Sequence, residues 1–587
     1  MHTRPNPREA TIERHINLQN LSLPRELAAA VAAALDDWDA NGKVQRLWQQ
    51  DPSLWTGKDE NKWLGWLNIA SEQQKTIRRF TNFAAEVKDA GFAHVLLLGM
   101  GGSSLCPEVI SKSFGKIEGF PALHVLDSTD PAQVSSFENK IDLRHTLFIV
   151  SSKSGTTLEP NIFKQYFFER TRHVVGEDQA GSRFIAITDP GSKLRQEAER
   201  DRFRKIFLGV PSIGGRYSAL SDFGLVPAAA MGVDVAKFLD RANAMVAACG
   251  ADVSSRNNPG VILGTVLGTA HNQGRDKLTI IASPGIYDLG AWLEQLIAES
   301  TGKNGKGVIP IDRETPGRLE VYGNDRVFVY LRSDSAPEAS QDATIAELET
   351  AGQPVISISV ADVYDLGQEF FRWEIATATA GSIIGINPFD QPDVEASKVA
   401  TRKLTEEYEQ TGSLPAEAPL LEAEGLKLFA DQKNAAALQA AATEQSLTGY
   451  LRAHLDRLKQ RDYFALLAYV EMNDEHEQLL QLTRGPVRDR KRVATCLGFG
   501  PRFLHSTGQA YKGGPNSGVV LQVTCDDVKD LPVPDQKYSF GVVKAAQARG
   551  DFEVLNERGR RALRVHLGAD VSEGLAKLKA AISNALA

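Results

Sequence analysis

The chain has 587 residues and an amino-acid composition ordinary for a soluble globular protein, and a chain of this length is expected to form several subdomains. Its formal net charge of −8 argues against a general nucleic-acid binder, and no apolar run approaches the roughly 20 residues of a membrane helix. The four scattered cysteines include no C-x-x-C pair and the first residues contain no apolar stretch of a signal peptide, so we expect a cytoplasmic protein without a thiolate metal site.

Residues 1–75 are predicted to be helical. Ser22 can cap a helix that Pro24 opens, and Leu27 begins the apolar face of that helix. Five of the seven tryptophans fall in this segment. We interpret them as core or docking residues, because aromatic side chains dominate burial.

Two regions, from about 90 to 210 and from about 255 to 410, alternate strands with helices, which is typical of parallel, doubly wound sheets. The predicted strands are 94–98, 122–126, 145–150, 183–188, 278–282, 326–331 and 355–360. The predicted helices of the first region are 105–112, 131–139, 159–171 and 193–200. Ligands of such sheets bind beyond the carboxyl ends of the strands.

The remainder of the chain shows weaker patterns. Residues 411–460 are rich in Ala, Glu and Gln and are predicted to be helical, and 463–470 is an apolar strand. In the tail from 491 to 587, short strands at 519–524 and 562–566 alternate with polar loops. No long low-complexity linker separates these parts.

The loop Ser151 to Thr157, SSKSGTT, follows one of the apolar strands and precedes a helix. Unpaired amides at a helix N-terminus bind anions, hydroxyls add donors, and Gly155 lets the backbone approach a ligand. An ordinary capping turn needs one hydroxyl, and this loop has five, so we favour a phosphate-binding loop. The Walker pattern G-x-x-x-x-G-K-[ST] is absent from it.

A second glycine-rich loop, GMGGSS at 99–104, resembles a dinucleotide-binding fingerprint, and Asp127 ends the next strand. Its sixth position is Ser104 instead of a small closing glycine, so the match is weak. We interpret it as another phosphate-facing turn. A nicotinamide-dependent dehydrogenase remains an alternative that rests on this loop and Asp127.

Four further residues could take part in chemistry, each with a structural alternative. Arg216 follows two glycines that could aim a fixed cation, or it lies in a solvated surface turn. Glu299 ends an amphipathic helix and could be a general base, or an exposed helix-terminal glutamate. Lys398 follows a rigid Asn-Pro entry to a helix and could point along it toward a ligand, or it is a surface lysine after a plain N-terminal turn. His505 lies in a Gly-rich loop where it could be an acid/base or merely structural.

Together the motifs GMGGSSL, SSKSGTT, GGRYS, ESTGK and FDQPDVEASK, in this order, resemble those of glucose-6-phosphate isomerases. The resemblance is closer to the isomerase half of bacterial transaldolase/glucose-6-phosphate isomerase fusions. It implies an α/β fold with two doubly wound parallel-sheet SIS subdomains, a helical N-terminal segment and an α/β C-terminal extension. The expected boundaries are 1–75 for the helical segment, 76–245 and 246–420 for the SIS subdomains, and 421–587 for the extension.

The resemblance also implies roles for individual residues. Glu299 would be the base that moves a proton between C1 and C2, Arg216 would stabilise the enediol intermediate, and Lys398 would help to open the sugar ring. The residues implied to bind substrate are Gly102, Ser103, Ser152, Lys153, Ser154, Thr157, Gln295 and Gln391. No metal and no cofactor is implied.

One departure from the family concerns its ring-opening histidine, which lies between the glutamate and the last lysine. This chain has no histidine between His271 and His454. The C-terminal stretch LHSTGQAYKGG is similar to the missing segment, so we infer that it has been relocated and that His505 serves. In the family this histidine can come from the neighbouring subunit.

The expected activity is therefore interconversion of glucose 6-phosphate and fructose 6-phosphate, a reaction of glycolysis and gluconeogenesis. The partner would be a small-molecule sugar phosphate, with no nucleic acid and no membrane, and family analogy suggests a homodimer. The alternative is a non-catalytic SIS-type regulator that binds sugar phosphates. The joint presence of Glu299, Arg216 and Lys398 favours the enzyme.

Overall fold

A computed structural model describes residues 16–587, which form two compact units. Unit 1 comprises the described residues up to Leu126 together with 141–301 and 327–390. Unit 2 comprises 127–140, 302–326 and 391–587. The first fifteen residues of the predicted helical segment lie outside the described residues.

The regular elements are numbered here in chain order. The strands are β1 Gln19–Ser22, β2 His94–Leu98, β3 Ala122–Leu126, β4 Thr146–Ser151, β5 Phe184–Thr188, β6 Lys205–Leu208, β7 Lys277–Ala282, β8 Ile309–Ile311, β9 Arg326–Ser333, β10 Val355–Val360, β11 Leu421–Ala423, β12 Leu426–Phe429, β13 Tyr463–Tyr469, β14 Ala494–Phe499, β15 Gly518–Thr524 and β16 Arg561–His566. The helices are α1 Arg25–Ala40, α2 Lys43–Trp48, α3 Trp66–Lys75, α4 Arg78–Asp89, α5 Leu105–Phe114, α6 Pro131–Lys140, α7 Leu158–Val175, α8 Glu177–Ala180, α9 Lys193–Arg200, α10 Asp222–Ala230, α11 Val235–Ala248, α12 Pro259–Asn272, α13 Leu289–Thr301, α14 Ala339–Thr350, α15 Leu366–Ile384, α16 Pro392–Thr411, α17 Gln432–Ala441, α18 Leu447–Leu455, α19 Asp474–Lys491, α20 Gly508–Gly513, α21 Phe540–Glu557 and α22 Val571–Leu586.

The first sheet of unit 1 is entirely parallel and has the order β3-β2-β4-β5-β6. Its central strands β4 and β5 are buried along their whole length, which explains their continuous apolar sequences. The four strands and four helices predicted for this region are confirmed to within a few residues, while β6 was not predicted. Both polar loops, 99–104 and 151–157, follow the carboxyl ends of adjacent strands of this sheet.

The second sheet of unit 1 runs in the order β1-β10-β9-β7. Strand β10 pairs in parallel with β9, and β1 pairs antiparallel with β10 at the edge. The predicted strands of this region are confirmed, but β1 corrects the expected helical start, because Ser22 ends a strand and Pro24 occupies the N-cap of α1. The conformation of such a short segment depends on pairing with a distant strand, and its local sequence indicates little about whether it forms a strand.

The third sheet lies in unit 2 and has the order β11-β12-β16-β15-β13-β14. Strands β13 to β16 are parallel, and their apolar side chains pack with those of α17, α18, α19 and α22 in one core. The α/β fold class, including an α/β C-terminal extension, is therefore confirmed. The four-part division of the chain stays a prediction.

Two predictions for the C-terminal part are wrong in detail. After α16 ends at Thr411 the chain forms a loop and the hairpin strands β11 and β12 before it returns to helix, so 411–460 is not continuously helical. The segments expected to be polar loops after 491 contain the long helices α21 and α22. Helix α21 is buried on most sides, so its apolar residues do not follow the single stripe by which a surface helix is recognised. Within the described part of the chain, no helix has the length and apolar character needed to cross a membrane.

A pH-dependent stability is predicted from His454 on α18. Its Nε2 donates to the Val520 carbonyl at 3.0 Å, and burial lowers the pKa of the ring from 6.5 to about 3. Between these pH values the unfolded chain binds a proton that the folded chain does not, so this residue makes stability fall as the pH drops below about 6.5, by up to about 1.4 kcal/mol per pH unit.

We therefore expect His454→Gln to lower the melting temperature near neutral pH yet to reduce its dependence on pH between about pH 7 and about pH 4.5. Thermal melts across this range measure the slope. His173→Gln, at a 69 % exposed side chain, is the matched control and should keep the wild-type slope. An unchanged slope in His454→Gln would contradict the assignment.

Candidate active site

Glu299 lies near the end of α13 with its carboxylate held by two neighbours. Gln295, one helical turn earlier, donates from Nε2 to Glu299 Oε2 at 3.0 Å. Arg216 Nη1 lies 3.4 Å from Glu299 Oε1. The side chains of Arg216 and Glu299 are only 2 % and 10 % exposed, so this is not the exposed helix-terminal glutamate of the alternative interpretation.

The guanidinium of Arg216 is fixed from several directions. Its Nε donates to Ser300 Oγ at 2.7 Å, and its Nη2 donates to the carbonyl oxygens of Pro388 at 2.7 Å and Asp390 at 3.0 Å. A buried cation is tolerated when it is paired and fully hydrogen-bonded, and these contacts meet that condition. Arg216 is therefore a buried, aimed cation and does not lie in a solvated surface turn.

Aromatic side chains pack beside the arginine and hold its neighbour Tyr217 in place. Tyr217 stacks on Trp66 with ring centroids 5.2 Å apart, and Ser300 Oγ lies 3.4 Å from the Tyr217 hydroxyl. Burial raises the pKa of Tyr217, so the phenol stays protonated at neutral pH. Trp66 and Trp38 are fully buried core residues, whereas Trp48, Trp55 and Trp63 are half-buried.

The loop that follows β2 contacts the arginine loop backbone to backbone. A Cβ on Gly102 would lie 2.0 Å from the Gly215 carbonyl oxygen, so only glycine fits at this position. The neighbouring Ser103 is buried, and Ser218 Oγ donates to the Gly215 carbonyl at 2.6 Å. The close contact at Gly102 thus fixes the position of the backbone that carries Arg216.

The hydroxyl-rich loop adopts a compact turn before α7. Gly155 has a φ of +69°, and its amide donates to Ser152 Oγ at 3.2 Å. Thr157 occupies the N-cap position without a side-chain capping bond, so the hydroxyls do not serve as an ordinary helix cap. Lys153 instead pairs with the carboxylate of Asp189, which partly neutralises the only cation of the loop.

Three of the residues implied by the family resemblance lie in unit 2. Gln391 is the N-cap residue of α16, Lys398 lies two turns into that helix with a side chain 43 % exposed, and its Nζ is 3.6 Å from Glu395. His505 ends a short 3₁₀ helix, Arg502–His505, and is half-buried. The structure thus brings Glu299, Gln295 and Arg216 together in unit 1 and holds Gln391, Lys398 and His505 in unit 2.

The segment that carries His505 is tied to the start of α16 by Gln509. Its Oε1 accepts from the backbone amides of Asp393 at 2.9 Å and Val394 at 3.2 Å, and its Nε2 donates to the Gly302 carbonyl at 2.9 Å. Gly302 follows directly after α13 in sequence. One buried amide side chain therefore joins the His505 segment to the helix of Lys398 and to Gly302 of the ESTGK motif.

Asp127, on which the dehydrogenase alternative rests, has a different role in unit 2. Its Oδ2 lies 2.9 Å from Arg502 Nε, and both side chains are largely buried. A carboxylate committed to an arginine in this way is not placed to accept hydrogen bonds from the ribose of a dinucleotide.

Comparison with known proteins agrees with the geometry of unit 1. The model of the phosphoglucose isomerase family matches residues 71–315, which include four of the five motifs. The chain is 28 % identical over 396 residues to a probable glucose-6-phosphate isomerase of Methanococcus maripaludis, covering 59 % of this chain and 86 % of the relative. It is 29 % identical over 370 residues to the glucose-6-phosphate isomerase of Rubrobacter xylanophilus, covering 54 % and 84 %.

The resemblance to glucose-6-phosphate isomerases is confirmed. A crystal structure of a hypothetical protein from Thermus thermophilus superimposes with a TM-score of 0.57 at 25 % identity, covering 66 % of this chain and 99 % of that protein. The closer likeness to the isomerase half of transaldolase fusions stays a prediction.

Sequence reasoning missed several residues that hold the glucose-6-phosphate isomerase motifs in place. Ser300 and Tyr217 stand beside predicted site residues within ESTGK and GGRYS, but nothing in their local pattern indicates that they contact one another. Gln509 lies within the LHSTGQ stretch that was recognised for its histidine. The motif itself could have indicated Gln509, because the resemblance to the family covers this glutamine as well as the histidine.

The contact between Gly102 and Gly215 predicts different melting temperatures for two glycine-to-alanine variants. Gly102→Ala places a methyl group against a backbone carbonyl that cannot move aside as a side chain could, so we expect the melting temperature to fall by several degrees. Gly214→Ala is the matched control, since a Cβ there meets no atom within 4 Å. Thermal melts of both variants measure the difference, and equal melting temperatures would show that the loops are not in contact.

Proposed function

We infer that this chain interconverts glucose 6-phosphate and fructose 6-phosphate. Family comparison supports the activity, and the single structural observation that supports it most is the buried Glu299 carboxylate held between Gln295 and Arg216. An aldose-to-ketose conversion needs one base that reaches two adjacent carbons and one cation that stabilises the negative charge on the oxygens bonded to them. The residue roles below are proposals.

Glu299 is proposed as the base of the isomerisation. Its carboxylate removes the proton from C2 of the open-chain aldose, and the electron pair of that bond forms a C1–C2 double bond while the carbonyl pair moves to O1, which gives an enediolate. The same carboxyl group returns the proton to C1, and the hydroxyl proton of O2 passes to O1 as the C2 carbonyl forms. Arg216 stabilises the negative charge that develops on the oxygens of the intermediate. Because Ser300 and two backbone carbonyls already fix its guanidinium, little reorganisation is needed when that charge appears.

The phosphate of the substrate is proposed to bind at the hydroxyl-rich loop. Ser152, Ser154 and Thr157 supply hydroxyl donors, and the first amides of α7 add the partial positive charge of a helix N-terminus. Lys153 pairs with Asp189, so its contribution is weaker than that of a free ammonium. Gly102 and Ser103 would lie beside the sugar. Phosphate binding supplies energy that holds the reacting carbons in place.

Opening of the cyclic sugar is proposed for His505, with help from Lys398 and hydrogen bonding from Gln391. An imidazolium can donate a proton to the ring oxygen near neutral pH as the bond from C1 to that oxygen breaks and the O1 hydroxyl gives up its proton to solvent. The C1 aldehyde that results is then available to Glu299. The bonds from Gln509 to Asp393 and Val394 support this role, because they hold the His505 segment and the Lys398 helix in one arrangement.

We also propose that the chain works as a homodimer in the cytoplasm. The dimer rests on the family resemblance and the location on the scattered cysteines, and sedimentation equilibrium of the purified chain tests the dimer.

The assignment of the base predicts the behaviour of Glu299→Gln. The amide keeps the shape of the side chain and one acceptor oxygen but cannot act as a base, so kcat should fall roughly 10²- to 10⁴-fold while KM changes little. A coupled assay in both directions measures this. Glu294→Gln on the same helix is the matched control and should remain near wild-type activity. Full activity of Glu299→Gln would refute the assignment.

The ring-opening role predicts a substrate-dependent effect of His505→Ala. Turnover of the cyclic hexose phosphates should fall by about 10²-fold or more. Solvent deuterium uptake by erythrose 4-phosphate, whose blocked C4 hydroxyl prevents ring closure, should fall much less. His173→Ala at an exposed position serves as the control. An equal loss on both substrates would remove His505 from ring opening.

A further inference from the structure

Unit 2 contains a cavity of about 180 Å³ that plays no part in the proposed isomerisation. It opens at the carboxyl ends of three parallel strands, because its lining includes Tyr469, Thr524 and His566, the last residues of β13, β15 and β16. The winding of the sheet reverses at β13, since β14 follows on one side of it and β15 on the other. In doubly wound sheets such a switch point is where ligands bind.

The walls of the cavity are formed by strand β12, strand β16 and helix α21. Lys427 faces His566, and Phe429 faces Arg564, as direct partners in the antiparallel pairing of β12 with β16. The lining contains more cationic than acidic side chains. The cations are Lys427, Lys544, Arg549 and Arg564, and the acids are Glu417 and Asp527.

Both arginines of the lining already bind a carboxylate of the same chain. Glu417 Oε2 accepts from Arg549 Nε at 2.8 Å and from Arg564 Nη2 at 2.8 Å. Arg564 is 4 % exposed at its side chain and lies 4.4 Å over the Phe429 ring, which fixes the plane of its guanidinium. Glu417 lies between α16 and β11, in the segment 412–420, which has no helix or strand.

A metal ion is the competing interpretation of the deepest part of the cavity. Asp130, Cys525 and Asp527 place possible ligand atoms within 4.8 Å of one another. The ammonium of Lys544 lies among them, 2.9 Å from Asp130 Oδ2 and 3.5 Å from Cys525 Sγ, and it also bonds Asp527. Burial alone would lower the pKa of Lys544, but the neighbouring carboxylates raise it overall, so a cation already neutralises this cluster.

We propose that this cavity is a second ligand site, which binds the phosphate group of a small phosphorylated metabolite in place of the Glu417 carboxylate. A phosphate monoester carries a charge of about −1.5 to −2 and three acceptor oxygens, so it can displace a singly charged carboxylate from two arginines. The volume equals about six water molecules, which suits a phosphate with a short carbon chain. Displacement of Glu417 releases the segment 412–420.

Hydrogen–deuterium exchange of the full chain tests the proposal at the segment itself. Inorganic phosphate should raise exchange of the backbone amides in 412–420 in a saturable manner, whereas potassium chloride at equal ionic strength should not. Glycerol 3-phosphate should act at a concentration at least about threefold lower than inorganic phosphate, because the cavity also accommodates its carbons. If both probes raised exchange with the same midpoint concentration, the proposal of a phosphorylated metabolite as ligand would be overturned. If neither probe raised exchange, the proposed phosphate site itself would be overturned.

Variants separate this site from the phosphate loop of unit 1. Arg549 also donates to the Pro415 carbonyl at 2.6 Å, so Arg549→Gln, at a side chain 29 % exposed, should raise exchange of 412–420 without phosphate and abolish any further response to phosphate. Arg490→Gln at an exposed position should retain the wild-type response. Glu417→Gln should raise exchange of 412–420 without phosphate. Glu422→Gln, the same change at an exposed residue five positions later, should not. A wild-type response in Arg549→Gln would overturn the proposal whatever the isomerase activity of the chain.

Discussion

The buried guanidinium of Arg216 is the group on which the candidate active site of unit 1 depends. A cation with so little exposure is stable only if every donor has a partner, and the chain meets this demand with Ser300, two carbonyls beyond α15 and the carboxylate of Glu299. Those same contacts fix where the positive charge lies. The contacts that satisfy the buried charge therefore also hold it in a fixed position, which is what the role proposed for Arg216 requires.

Unit 2 uses a neutral group for a similar purpose. Gln509 is completely buried, and its side-chain amide hydrogen-bonds to the start of α16 and to the turn that follows α13. An amide can do this because it both donates and accepts, so a single side chain orients two backbone segments. The segment that carries His505 is thereby fixed to the start of α16 through its glutamine.

The third sheet repeats the architectural rule of the first. In both, polar and charged side chains gather beyond the carboxyl ends of parallel strands, since no strand backbone continues there to exclude a ligand. In the first sheet these side chains belong to the SSKSGTT loop, whereas in the third they include Arg564 and Glu417, which satisfy one another. The C-terminal extension thus adds a second potential ligand-binding edge as well as a core.

The sequence alone predicted most strands of the first two sheets, the two polar loops at their carboxyl ends and the candidates Glu299, Arg216 and His505. These follow from local patterns, namely apolar runs, glycine positions and motif order, which depend on neighbours in the chain. Only the tertiary structure decided the strand β1, the burial of Arg216, the pairing of Lys153 with Asp189 and the anchoring role of Gln509. Each of these joins residues far apart in sequence, and no local propensity encodes which distant group will neutralise a charge or satisfy a hydrogen bond.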